Sequence, residues 1–277
     1  MVNHILFPNL GLSLTLRESF QIFGFSIYWY AVIIVTGMVL AVWYAIRMFP
    51  KKGLEQDDLF NMFLIALPTA IICARAYYVI FSWNDYKDNL WQIFNIRGGG
   101  LAIYGGVIGA AAVVLLYCNR KKISFAKVFD ILAVGLLIGQ AVGRWGNFVN
   151  AEAFGDPNRP TNLPWAMTIL GVAENVHPTF LYESLWNAAG IILLLLYQKK
   201  LQRADGELFL TYLLWYGLGR VWIEGLREDS LMLMTTPLQI RVSQVLAGLS
   251  AFAGAVGIIL LRRKASRKGA NDVAAGL

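Results

Sequence analysis

Residues 143–155 read GRWGNFVNAEAFG and follow directly on an apolar run from Ile131 to Val142. That run is typical of a membrane-spanning helix, which needs roughly 20 predominantly apolar residues. An arginine, two asparagines and a glutamate at its end are expensive there, because a charged side chain near the bilayer centre costs roughly 2.5–3.5 kcal/mol. These polar side chains therefore mark a candidate functional site in a membrane protein.

The composition of the whole chain agrees with a membrane protein. Hydrophobic residues make up 57% of the 277 residues and charged residues 15%, against about 25% charged residues in soluble domains. Seven stretches are long enough to cross a bilayer, near 23–46, 59–81, 98–117, 128–148, 178–197, 207–224 and 239–261. Because a spanning segment must satisfy its own backbone hydrogen bonds, we predict an all-α fold. The expected architecture is a polytopic bundle of seven transmembrane helices in a single integral membrane domain, residues 1–277.

The distribution of lysine and arginine predicts the topology. The connections after the first, third and fifth predicted spans, together with the basic tail 262–277, hold 15 of the 24 basic residues. Since cytoplasmic loops carry the excess of basic residues, we predict an external N-terminus and a cytoplasmic C-terminus. The long connection 150–177 is then an external loop.

The net charge of +7 comes mostly from these loops and the tail, which face anionic lipid headgroups. A nucleic-acid partner is not needed to explain it. The two cysteines, Cys73 and Cys118, lie in or at the end of predicted spans and read as small buried hydrophobes. Neither they nor any histidine–carboxylate cluster predicts a metal site.

Arginines lie within the predicted spans at Arg75, Arg144 and Arg220. For Arg75, a structural ion pair or snorkelling to the interface competes evenly with substrate contact. Arg144 has Gln140 four residues before it and Asn147 three residues after it, so the three share one helix face.

The sixth predicted span carries a second polar stripe. Tyr216, Arg220 and Glu224 follow one another at intervals of four, and Arg227 comes three residues later. A structural Arg220–Glu224 pair that bridges helices is the competing interpretation. A binding site is favoured because such stripes occur near the ends of two different spans.

Guanidinium groups at membrane depth fit a phospholipid headgroup, since their rigid fork of donors matches phosphate oxygens. Glu152 and Glu224 return negative charge to the region and suit orienting the arginines or accepting hydrogen bonds from a glycerol hydroxyl. Asn147 and Asn150 supply the mixed donors and acceptors that a polyol headgroup needs.

Five segments in order resemble the bacterial prolipoprotein diacylglyceryl transferase family. The first four are Tyr28-Trp29-Tyr30, the glycine-rich residues 98–106, the signature 143–155, and HPTFLYE at 177–183. The fifth runs from Tyr216 through Arg220 and Glu224 to Arg227.

The resemblance implies transfer of the diacylglyceryl group from phosphatidylglycerol to the lipobox cysteine thiol of a prolipoprotein, with glycerol phosphate as the leaving group. It implies no cofactor, no metal and no nucleic acid. The implied partners are phosphatidylglycerol, prolipoprotein signal peptides and membrane lipids. The implied location is the bacterial cytoplasmic (inner) membrane, with the active site toward the outer face.

The predicted site follows from the matching motifs. Arg144 and Arg220 are the candidates for stabilising the leaving phosphate. The predicted substrate-binding residues are Arg144, Asn147, Asn150, Glu152, Gly155, Tyr30, Tyr216, Glu224, Arg227, Arg75 and Glu183. The glycines at 98–100, 105 and 106 are expected either to let helices pack closely or to let a lipid chain approach the backbone.

Tyr104 is a departure from the family pattern, because some members carry a histidine there that has been considered as the base. With an unperturbed pKa near 10, tyrosine is a poorer proton acceptor at neutral pH. Tyr104 belongs to the predicted catalytic set. Either it positions lipid or thiol, or the base lies elsewhere, with Glu152 and Glu224 as possible bases, and the general base stays unassigned. His177, before Pro178, is predicted to be a structural residue at a helix entry.

The main alternative is a membrane transporter or binding protein for an organic anion or phospholipid. A transporter usually has inverted repeats or interrupted helices in matching halves, and the sequence shows neither. A metal-dependent alcohol phosphotransferase would need a run of aspartates, which is absent near Arg75.

Overall fold

A computed structural model describes residues 2–227 and 241–275. The α-helices in this part of the chain are α1 (Trp29–Met48), α2 (Gln56–Phe81), α3 (Ile103–Lys121), α4 (Phe125–Val149), α5 (Thr179–Lys200), α6 (Glu207–Glu224) and α7 (Val242–Ala275). Short 3₁₀ helices occupy Pro8–Leu10, Pro50–Lys52, Trp83–Asp85, Leu90–Phe94 and Ile96–Gly98.

Six helices are long and apolar enough to cross a membrane, namely α1, α2, α3, α4, α5 and α7. The multi-pass membrane character is therefore confirmed. The predicted sixth span is a helix, α6, but it differs from the six because it carries Glu207, Arg220 and Glu224 within 18 residues. The count of seven spans and the orientation of the termini remain predictions.

Two small β-sheets accompany the helices, so the all-α prediction is incomplete. The first sheet has the antiparallel order β2-β1-β5-β6, formed by β1 (Val2–Phe7), β2 (Leu12–Arg17), β5 (Met167–Ile169) and β6 (Ala173–Val176). The second sheet is a hairpin of β3 (Ser19–Ile22) and β4 (Phe25–Tyr28). The first predicted span started at residue 23, but α1 begins at Trp29, because residues 25–28 pair as a strand.

The first sheet is fastened to the helices by a shared apolar core. Ile5 and Phe7 of β1 pack in one buried cluster with Phe148 of α4 and Phe180 of α5. The two phenylalanine rings of the helices stack with their centroids 4.4 Å apart. The sheet therefore sits directly on the ends of α4 and α5.

The chain divides into two compact units, Met1–Tyr44 with Phe129–Leu277, and Ala45–Val128. In the first unit, the indoles of Trp186 on α5 and Trp215 on α6 stack at 4.3 Å, and each donates to the other's backbone carbonyl at 3.0 Å. Gly190 and Gly219 make room for these rings, since an added Cβ would lie 2.5 Å and 2.2 Å from an indole nitrogen.

In the second unit, α2 and α3 approach closely at small residues. An added Cβ at Gly105 would lie 2.4 Å from the carbonyl oxygen of Cys73, and one at Gly109 would lie 2.7 Å from the Cys73 sulfur. Small residues at helix interfaces permit this approach in membranes. At Gly105, close helix packing is thus the interpretation that the structure favours.

Candidate active site

Glu183 of α5 joins arginines from two neighbouring helices. Its Oε1 accepts a hydrogen bond from Arg144 of α4 at 2.5 Å, and its Oε2 accepts one from Arg220 of α6 at 3.2 Å. The Arg227 guanidinium lies 3.9 Å from the same carboxylate. The Glu183 side chain is 4% exposed. A buried carboxylate therefore holds three cationic groups together between three helices.

Further polar contacts extend this cluster on both sides. Arg220 also contacts Glu224 at 2.7 Å. The pair named above as the competing structural interpretation is therefore present, and Arg220 also contacts Glu183 on α5. On the other side, Arg144 donates to Asn147 at 3.2 Å, and Asn147 donates to Glu152 at 2.8 Å. The structure thus brings together most of the charged residues predicted from the two stripes.

The two central arginines remain partly accessible. The Arg144 and Arg220 side chains are 20% and 17% exposed, in contrast to the nearly buried Glu183. A buried ion pair that loses one partner is strongly destabilised, because the remaining charge is left uncompensated. Glu183 therefore keeps the guanidiniums in place, while their exposed portions can contact an incoming anion.

Aromatic residues line the same region of α1, α4 and α6. The Tyr30 ring lies over Gly146, where an added Cβ would come within 2.8 Å of it. Tyr216 stacks on Tyr212 with ring centroids 5.6 Å apart. Gln140, which lies one turn before Arg144 on α4, donates to the Tyr212 hydroxyl at 3.0 Å.

The loop after α4 turns sharply under His177. Ala151 and Ala153 both adopt a positive φ, and the Gly155 amide donates to the His177 carbonyl at 3.0 Å. An added Cβ at Gly155 would lie 2.7 Å from the His177 amide nitrogen, so this position requires glycine. Gly155 therefore shapes the loop that carries Glu152. Asn150 lies at the start of this loop, and its backbone N–H donates a hydrogen bond to the Gly146 carbonyl.

His177 has the environment of a structural residue. Its Nδ1 lies 3.1 Å from the Tyr182 hydroxyl, and burial lowers the pKa of the imidazole. Because the pKa falls from an ordinary value near 6.5, the ring is neutral at physiological pH. This agrees with a role at the entry to α5.

Arg75 and Tyr104 belong to the second compact unit. The Arg75 guanidinium donates to the backbone carbonyls of Gln92, Ile93, Asn95, Gly99 and Gly100 at 2.6–3.1 Å. These bonds use all five N–H donors of an arginine. Arg75 thus organises the loop before α3, and its predicted contact with substrate remains a prediction. Tyr104 lies in the first turn of α3 with its side chain exposed.

A second buried polar cluster, missed in the sequence analysis, lies at the opposite end of α4, α5 and α6. Asp130 accepts hydrogen bonds from Gln202 and from the amides of Gly206 and Phe209 at 2.7–3.0 Å. Glu207 contacts Arg262 of α7 at 3.3 Å. The sequence did contain a signal for this cluster, because Asp130 and Glu207 lie near the ends of two predicted spans. These contacts tie the α5–α6 connection to α4 and α7.

Within residues 2–227 and 241–275, no group of three or more histidine, cysteine or carboxylate side chains is arranged to hold a metal ion. The cluster around Glu183 instead presents hydrogen-bond donors. Such an arrangement fits a phosphate or another oxyanion.

Six apolar helices and a charged cluster between three packed helices define a polytopic membrane protein with a candidate anion-binding active site. Residues 17–260 match the family model described as prolipoprotein diacylglyceryl transferase. The chain belongs to this family of transferases, and the resemblance seen in the motifs is confirmed.

Curated relatives agree with this family. A protein of Clostridioides difficile (strain 630) is 44% identical over 248 residues, covering 90% of this chain and 96% of the relative. Proteins of Bacillus mycoides (strain KBAB4) and Bacillus anthracis (strain A0248) are each 48% identical, covering 90% of this chain and 92% of the relative. All three are named phosphatidylglycerol–prolipoprotein diacylglyceryl transferase.

Proposed function

We propose that this protein transfers the diacylglyceryl group of phosphatidylglycerol to the thiol of a prolipoprotein cysteine. The cysteine sulfur forms a bond to a carbon of the diacylglyceryl group. The bond between that carbon and the phosphate oxygen breaks, and glycerol phosphate leaves. The thiol proton passes to a base or to water, and the resulting thiolate is the attacking group. Membership of the transferase family supports this reaction, and so do the names of its relatives.

The observation that carries the proposal is the sharing of Glu183 between Arg144 and Arg220. Phosphatidylglycerol carries one negative charge on its phosphodiester, and the departing glycerol phosphate gains a second. Preorganised donors that face a charge as it develops lower the barrier, and removing one such donor typically costs about 10²–10³ in rate. We assign Arg144 and Arg220 to this phosphate.

The same arginines favour the reactive thiolate form of the substrate cysteine. A free cysteine has a pKa near 8.5, and neighbouring cationic groups lower it and raise the thiolate fraction. Asn147 and Glu152, which are linked by a hydrogen bond of 2.8 Å, are suited to the hydroxyl groups of the glycerol headgroup. The residue that accepts the thiol proton stays unassigned, and Tyr104 is proposed to position lipid or thiol.

The protein acts as a single domain with seven spans, including α6, in the bacterial cytoplasmic membrane. Its N-terminus and active site face outward and its C-terminus faces the cytoplasm, as the distribution of basic residues indicates. Its protein partners are signal peptides with a lipobox cysteine. Tyr30, Asn150, Gly155, Tyr216, Glu224 and Arg227 complete the proposed substrate site.

A transfer assay with purified protein in detergent tests the function. Labelled lipid should appear on a lipobox peptide with phosphatidylglycerol, but not with phosphatidylethanolamine or with a serine peptide. Arg144→Lys and Arg220→Lys keep the charge but lose the fork geometry, so we expect rates at least about 100-fold lower. Arg159→Lys, at an exposed arginine in the 150–177 loop, should transfer normally. Folded protein that binds phosphatidylglycerol without any transfer would favour the lipid-binding alternative.

A further inference from the structure

Among the residues that the structure describes, no further strand pairs with the outer edge of β2 in the four-stranded sheet. The Leu170 amide donates to the His4 carbonyl at 3.0 Å, so the main-chain groups of His4 face β5. Main-chain groups alternate sides along a strand, which means that Asn3, Ile5 and Phe7 bond to β2. Their cross-strand partners are leucines 16, 14 and 12.

By the same alternation, the N–H and C=O groups of Ser13, Thr15 and Arg17 point away from the sheet. No backbone hydrogen bond from another described segment reaches them. These three residues are also exposed. Together they present a row of main-chain donors and acceptors to a further strand.

The opposite edge of the same sheet is protected, whereas β2 is not. On β6, the Asn175 carbonyl accepts a hydrogen bond from the Thr161 amide at 2.6 Å, and Glu174 adds a charge. Natural edge strands are usually blunted by lysine, proline, a bulge or a covering loop. Residues 12–16 of β2, LSLTL, contain no charge and no proline, and the single charged residue of the strand, Arg17, is its last.

The apolar face of the sheet continues past its core at this edge. Leu12 and Leu14 pair with the buried Phe7 and Ile5, and residues that pair across strands share one face. Yet Leu12 and Leu14 are 52% and 38% exposed. An added strand would cover these leucines with its alternate side chains.

Strand β1, which pairs with β2, contacts the end of the helix that carries part of the candidate active site. Asn3, the cross-strand partner of Leu16, donates from its side chain to the Val149 carbonyl at 2.9 Å. Val149 ends α4, two residues after Asn147. A chain paired along β2 would lie two strand spacings from β1, about 10 Å, in the sheet that contacts this helix end.

We propose that the prolipoprotein substrate docks on β2 as an added β-strand, which holds the extended segment next to the reacting cysteine. The inference rests on the proposed function, since it names how the protein substrate of that reaction is held. Strand addition takes its affinity from main-chain hydrogen bonds and its specificity from alternate side chains. Such recognition suits a substrate that is an extended polypeptide.

An N-methyl scan of the lipobox peptide tests this docking with the native enzyme. Each N-methyl group removes one main-chain donor. We expect the peptide KM to rise about five-fold at every second residue of the docking segment and to stay unchanged at the residues between, because one lost hydrogen bond is worth about 1 kcal/mol. A profile without this two-residue period overturns the inference. If the unmodified peptide is not lipidated at all, the proposed function itself fails.

A matched pair of enzyme variants gives a second test. Ser13→Pro removes one outward N–H, whereas Ser13→Ala keeps it. We expect Ser13→Pro to raise the peptide KM about five-fold with the KM for phosphatidylglycerol unchanged, and Ser13→Ala to match the parent. Equal thermal midpoints establish that both variants are folded, and if Ser13→Pro is not, the N-methyl scan decides. A dimer that Ser13→Pro dissociates, with a flat N-methyl profile, would assign the edge to a second copy of the chain and overturn the inference.

Discussion

Glu183 occupies the point where the forks of Arg144 and Arg220 meet, which is the position that an oxyanion of the substrate would seek. Its carboxylate accepts hydrogen bonds from both arginines, at 2.5 and 3.2 Å. A phosphate that binds the same guanidiniums must share them with this carboxylate. Glu183 is therefore a positioning residue that stabilises the unliganded site and competes with the phosphate.

Glu183→Gln should separate these two effects. The neutral amide no longer balances the three arginines, so we expect the unfolding free energy without ligand to fall by about 3–5 kcal/mol. The same change removes the competing anion, so glycerol phosphate should bind more tightly and restore much of the thermal midpoint. Thermal unfolding with and without millimolar glycerol phosphate measures both effects.

The matched control for that experiment is Glu174→Gln, which neutralises an exposed carboxylate on β6. It should leave the midpoint and the response to glycerol phosphate unchanged. A Glu183→Gln variant as stable as the parent, with no added response to glycerol phosphate, would contradict the role given to this carboxylate.

The residue pattern predicted part of the site and missed part of it. The spacing of Tyr216, Arg220 and Glu224 correctly placed the Arg220–Glu224 contact, because both residues lie on one helix. The same reasoning did not predict that Gln140 turns to Tyr212 on α6. Helical periodicity defines a face, but which neighbouring helix covers that face depends on tertiary packing. Glu183 was included in the predicted site only through the family motif, because spacing along the chain does not show that α5 packs beside α4 and α6.

At the scale of elements, Arg75 links helix α2 to the loop before α3. Five carbonyl groups between Gln92 and Gly100 converge on one guanidinium, and Gly100 has φ +78°. An added Cβ at Gly100 would lie 2.4 Å from the Arg75 Nη1. The glycine-rich segment therefore wraps around an arginine. Glycine is needed at position 100 because a side chain there would collide with the guanidinium.

Arg75→Lys should loosen this loop. An ammonium has three donors, so at least two of the five carbonyls lose their partner. Hydrogen bonds to charged groups are worth about 1.5–3 kcal/mol each, so we expect amide exchange across residues 90–100 to accelerate at least about 10-fold. Hydrogen-exchange mass spectrometry measures this directly. Arg120→Lys, at an exposed arginine in the last turn of α3, should leave exchange in this segment unchanged, and equal exchange in both variants would contradict the prediction.

The elements that the sequence predicted well are the ones with long apolar runs. Helices α2, α4 and α5 begin or end within a few residues of their predicted bounds, because bilayer thickness sets their length. The strands were missed even though LSLTLR at 12–17 alternates with a period of two. The pairing of β1 with β2 is local, whereas the pairing of β1 with β5 joins segments more than 150 residues apart. A pairing between such distant segments leaves no pattern in the sequence of either strand that would reveal its partner.

At the scale of the whole molecule, the charges divide between the ends of the helices. In the first compact unit, the cluster of Arg144, Glu183 and Arg220 lies toward the C-terminal end of α4. The contacts of Asp130 and the Glu207–Arg262 pair lie toward its N-terminal end. Arg262 also opens the basic tail, so the structural cluster lies at the end of the bundle from which that tail continues. The positive-inside rule assigns this end to the cytoplasm.

The orientation can be measured with single cysteines in a Cys73→Ala, Cys118→Ala background. Ser13→Cys lies on the exposed strand β2, and Ser266→Cys lies on the exposed basic part of α7. Intact bacterial cells, with the outer membrane removed where there is one, are treated with a membrane-impermeant maleimide. Because the positive-inside rule predicts a cytoplasmic tail, we expect Ser13→Cys to react fully and Ser266→Cys to react only after the membrane is permeabilised. The reverse pattern would place the candidate site at the cytoplasmic face, and labelling of both positions in intact cells would contradict an odd number of spans between them.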